Sequence, residues 1–104
     1  MEQKYTKLDE LSLYSDFNTA QERAEDYLGK DAMLFSSPRK DKKYRIYNPH
    51  KDKWVDFGQM GYEDFTRHQD PIRRERYLKR ALKIKGKWAE DAYSPNNLAI
   101  HILW

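Results

Sequence analysis

Apolar residues along this chain change their spacing twice, and each change marks a change of architecture. Phe17, Ala20, Ala24, Tyr27 and Leu28 recur at three- and four-residue intervals, the repeat that gathers side chains on one face of a helix. Asp16 or Asn18 supplies a cap and Gly29 a stop, so the pattern predicts an amphipathic helix over 17–28. The period then shortens. Residues 32–36, 43–47 and 53–57 have strand composition, and the turn formers Ser37-Pro38-Arg39-Lys40-Asp41 and Asn48-Pro49-His50-Lys51-Asp52 separate them. A three-stranded antiparallel meander follows. Alternation sets Tyr44, Ile46 and Asn48 on one face and Arg45 and Tyr47 on the other. One side of the sheet is therefore expected to be packed, beneath the first helix.

Helical spacing returns after Gly58 and Gly61. Tyr62-Glu63-Asp64-Phe65-Thr66 reads as a helical turn with its two aromatics on one side. Asp70-Pro71 is a stronger start, an N-cap acid followed by proline at the first helical position. It opens a helix through Ile72, Arg76, Leu78, Ala81 and Leu82 toward Gly86. Ser94-Pro95 repeats the device before a last short helix bearing Leu98, Ala99, Ile102 and Leu103. Trp54, Trp88 and Trp104 are expected in the core, with Leu103-Trp104 pinned there or in a neighbouring subunit. Residues 1–16 scatter Tyr5, Leu8, Leu11, Leu13 and Tyr14 among charges and read as an extended arm that orders against a partner. The expected fold is a small single α+β domain over residues 17–104. Its three-stranded antiparallel meander packs with an N-terminal helix and is followed by a basic helix and a short C-terminal helix. A length of 104 residues suits one such core.

Charge sharpens the reading. The net value of +3 conceals a split, because residues 1–31 carry four bases against eight acids while residues 67–87 carry nine bases against two acids. Neighbours on a helix diverge by about 100 degrees, so the bases fall into rows. Arg73, Arg76, Arg80 and Lys83 form one row, with Tyr77 beside it and Arg67 and Lys79 nearby. Forked guanidinium groups at this spacing grip carboxylates or phosphates. A chain so polarised can also stack its acidic end on the basic end of another copy.

The residues for chemistry are missing from the pattern. There is no cysteine, hence no disulfide, thiolate nucleophile or cysteine-based zinc site. His50, His68 and His101 never meet the i, i+3 or i+4 spacing of a helix-borne metal site. Glu63 and Asp64 are adjacent and would diverge on a helix, which suits the start of a helix better than an acid–base pair. Ser36 and Ser37 precede a proline turn, without a nucleophile elbow. The expectation is no enzyme, no cofactor, no metal and no small-molecule substrate. No apolar run approaches the roughly 20 residues of a membrane span. The opening Met1-Glu2-Gln3-Lys4 lacks the apolar core of a signal peptide, so a soluble, unexported protein is expected.

The run Phe57-Gly58, Gly61-Tyr62-Glu63-Asp64-Phe65-Thr66, His68, Asp70, Arg73-Arg74, Tyr77-Leu78 and Arg80, then Trp88, Tyr93-Ser94-Pro95-Asn96-Asn97-Leu98 and Leu103-Trp104, resembles small uncharacterised proteins of large nucleocytoplasmic DNA viruses and other viruses. The resemblance covers about the last half of the chain and carries no activity. It implies a viral setting, in which a charge-polarised, one-domain protein is more often a virion component than an enzyme. The expected function is a virion structural protein, a minor capsid or capsid-associated module. Its basic row (Arg73, Arg76, Arg80, Lys83, Arg67, Lys79) would bind protein subunits of the particle, with self-association included. The alternative partner is nucleic acid, the same row organising or packaging the genome.

Overall fold

The computed structural model describes residues 6–104. Among these residues are five α-helices, each opened by a side-chain cap, and one three-stranded sheet: α1 (Lys7–Ser12), α2 (Phe17–Leu28), β1 (Phe35–Ser36), β2 (Lys42–Asn48), β3 (Lys53–Gln59), α3 (Phe65–His68), α4 (Pro71–Ala81) and α5 (Pro95–Leu98). The caps are Thr6, Asp16, Asp64, Asp70 and Ser94, each accepting a hydrogen bond from a backbone N–H that the first turn leaves without a partner. Pro71 and Pro95 stand at the first helical positions, where a missing N–H costs nothing. The domain is α+β, with an antiparallel sheet in the order β1-β2-β3.

Register explains which residues enter the core. Tyr44 lies opposite Phe57 and Ile46 opposite Val55. Tyr44, Ile46, Asn48 and Phe57 are buried, so the alternation predicted for β2 is the observed one. Over this face lie Ala20 and Ala24 of α2, both wholly buried, with Leu98, Ile102 and Leu103 from the end of the chain. The two alanines let α2 approach the C-terminal helix closely. α5 runs into a π-helical turn, Ala99–Leu103, which turns Ile102 and Leu103 inward. Burying each such side chain contributes roughly 2 kcal/mol.

Three expectations are corrected here. Residues 6–16 are not an extended arm; Met1 to Tyr5 lie outside the described residues. Thr6 and Asp9 form a reciprocal capping box at the start of α1, and Leu11 is buried in the core. Behind it, the Ser15 hydroxyl accepts from the Tyr44 hydroxyl at 2.7 Å. The first strand is shorter than 32–36, because the Gln21 side chain takes over its backbone partners. Gln21 Oε1 accepts from the Leu34 N–H at 2.9 Å and Nε2 donates to the Ala32 carbonyl at 2.8 Å. Trp54 is not in the core but 45 % exposed. It faces outward on β3 opposite Tyr47, with the Arg45 guanidinium 4.7 Å from its ring centre and Phe35 edge-on at 5.7 Å.

Candidate functional site

The basic helix α4 lies apart from the main core, with only Ala81 buried. What holds it is a set of polar and aromatic ties. Tyr77 stacks on Trp104, ring centres 4.2 Å apart and planes inclined by 10°, and the Arg74 Nε donates to the Trp104 main-chain oxygen at 2.6 Å. The Trp104 ring also meets His68 at 5.2 Å. His68 closes α3, and its Nδ1 accepts from the Asp70 N–H at 2.9 Å, so the short helix α3 sets where α4 begins. The chain turns between them at Gln69, in the left-handed region at φ 53°.

α3 is fixed in turn from the sheet. Asp64, wholly buried, caps it by accepting from the Thr66 N–H at 3.0 Å. The same carboxylate pairs with Lys43 of β2 at 3.0 Å. Lys43 Nζ also donates to the Tyr62 carbonyl. Burial pushes the Lys43 ammonium's pKa down, against the pull of the Asp64 charge. The helix begins one residue after Asp64, so Tyr62 stands outside it and is 66 % exposed; the two aromatics expected on one side of a turn are separated.

These ties leave a groove of about 810 Å³ between α4, the Lys42–Lys43 and Gly58–Gln59 ends of β2 and β3, and the C-terminal helix. Arg73, Arg76 and Arg80 line one wall with Tyr77, while Ile84 and Trp104 provide apolar surface, Ala99 and Leu103 bound it from the buried side, and Glu63 is the one acid of the lining. Gly58 makes this shape possible. Its φ is +79°, and a Cβ there would stand 2.8 Å from Leu103 Cδ1.

Of the six bases predicted to bind a partner, the structure brings three together. Arg73, Arg76 and Arg80 share the groove, and among the described residues no carboxylate lies within 4.0 Å of any of them. Lys83 does not join them, because α4 ends at Ala81 rather than near Gly86. Lys79 pairs with Glu75 at 3.5 Å on the exposed side. Arg67 lies in the last turn of α3, away from the groove lining. Lys42, Lys43, Ile84 and Trp104 line it too. Of these only Trp104 carried a sequence signal, an aromatic residue beside buried positions.

Burial raises the Tyr77 hydroxyl's pKa above its ordinary value. Among the described residues no three His, Asp or Glu side chains converge as metal ligands, and no helix is long and apolar enough to cross a membrane. Residues 32–81 match a family of unknown function, DUF5754. The similarity therefore takes in the sheet, α3 and all of α4 with its three groove arginines, but neither α2 nor the C-terminal helix. No curated protein and no solved structure matches the chain.

Proposed function

We propose that this protein acts by binding and not by catalysis, as a virion structural protein of the minor capsid or capsid-associated kind that seats an acidic surface of a neighbouring subunit in the α4 groove. One observation carries the reading: three guanidinium groups on one helical face, without carboxylate partners among the described residues, stand along a groove that Ile84 and Trp104 also line. Guanidinium forks favour carboxylates and phosphates alike. The apolar side chains of Ile84 and Trp104 beside them favour a protein, which can present apolar groups next to its carboxylates. The viral setting rests on the motif resemblance of the chain's second half.

Genome organisation is the second reading, supported by the same three arginines as phosphate ligands. Mass spectrometry and imaging of purified particles test the proposal. Shell localisation, with binding to capsid proteins at low salt that Arg76→Ala and Arg80→Ala weaken, is the expected result. Recovery in the nucleoprotein core, with duplex affinity falling steeply with log salt, would replace it by the genome reading. Absence from particles would overturn both.

A further inference from the structure

The groove's unpaired bases have a counterpart on the same chain. Glu22, Glu25 and Asp26 occupy i, i+3 and i+4 positions of α2, the spacing that aligns side chains. No described base lies within 4.0 Å of any of them. Two sit in the last turn of α2, which holds no basic residue. Acids are unfavourable there, because the carbonyl end of a helix carries partial negative charge. Apart from the attraction between Asp26 and Arg23, the local helix gains nothing from them, whereas a cation brought from outside relieves both the repulsion and the helix end.

The apolar character matches as well. At the approach to α2, Leu13 and Phe17 are 52 % and 44 % exposed, and the groove offers the exposed Ile84 and the half-buried Trp104 beside its arginines. We propose that the groove of one molecule receives the acidic α1–α2 unit of a second copy of this chain, so that Arg76 and Arg80 meet Glu22 and Asp26. This rests on the reading of the groove as a docking site and names its occupant. The two surfaces differ, so the contact is head-to-tail and propagates until it closes as a ring or continues as a filament.

Sedimentation velocity of the full chain from micromolar to millimolar concentration, at low and at high salt, tests the inference. At low salt the average mass should climb with concentration, and it should fall back at high salt. Arg76→Glu with Arg80→Glu, and separately Glu22→Lys with Asp26→Lys, should each weaken association by about tenfold or more, since each sets like charges together. Mixing the two variants should restore growth, which also shows that both are folded. A wild type that remains monomeric throughout, or association indifferent to the α2 reversal, overturns the inference. A labelled oligo-glutamate peptide separates this failure from failure of the docking reading. Peptide binding that the arginine reversal abolishes, in a monomeric protein, keeps the groove and discards the second copy; no peptide binding and no self-association discards both.

Discussion

Lys43 Nζ and the Asp64 carboxylate lie 3.0 Å apart, with side-chain exposures of 3 % and 0 %, and this pair joins the sheet to the segment that aims the basic helix. A buried pair is costly to break from one side, because the remaining charge keeps its desolvation penalty. Lys43→Met should destabilise the fold by about 3–5 kcal/mol. Asp64→Ala should cost more, since it also removes the cap of α3. The double variant Lys43→Met with Asp64→Leu should lose less than the two singles together. Urea unfolding of the four proteins measures the coupling.

Gly58 prescribes how closely the C-terminal helix approaches the sheet. Gly58→Ala meets both an unfavourable φ of +79° and the Leu103 Cδ1 at 2.8 Å, and should cost about 1–3 kcal/mol. Combining it with Leu103→Ala removes the clash but not the backbone strain. Thermal or urea unfolding should therefore show the double variant to be more stable than additivity of the singles predicts.

His68 should make the start of α4 sensitive to acid. Burial, and then the nearby Arg73 charge, push its pKa below the ordinary 6.5. Its Nδ1 accepts from the Asp70 N–H, a bond that protonation at Nδ1 abolishes. The unfolded chain takes up this proton first as pH falls. The contribution to stability is thus fully present above pH 6.5 and is lost as pH drops through the lower folded-state value. An NMR titration should give a His68 midpoint below 6.5, with the Asp70 amide reporting the same midpoint, and Arg73→Ala should move both upward.

The amide of Gln21 stands in for a strand at residues 32–34. Gln21→Ala leaves the Leu34 N–H and the Ala32 carbonyl without their partners, at a cost of about 1–3 kcal/mol. Hydrogen exchange should report the change locally, with the Leu34 amide losing protection while the amides of β2 keep theirs.

Much of the fold is legible in the sequence. The 17–28 helix, the meander, the Asp70-Pro71 and Ser94-Pro95 starts and the inward face of β2 all rest on signals that act within about four residues: periodicity, caps and turn formers. Trp54 shows where such signals mislead. Its type favours the core, but its place opposite Tyr47 sets it on the outward face, where Arg45 lies against its ring. α1 leaves little trace in the sequence because its one buried anchor, Leu11, matters only once the rest of the core lies against it.

For the site, the sequence by itself determined that a row of arginines recurs along one helical face, since helix geometry places every third or fourth residue together. Tertiary structure decided which of them count. It ended α4 before Lys83, paired Lys79 with Glu75, and left Arg73, Arg76 and Arg80 along a groove whose other walls come from β2, β3 and the C-terminal helix. Those walls depend on Lys43 finding Asp64 and on Tyr77 finding Trp104, contacts between residues more than twenty positions apart. Spacing records neighbours along a helix or strand; pairings at such range arise only when the whole chain packs, because many distant partners compete for each side chain and shape and burial select among them.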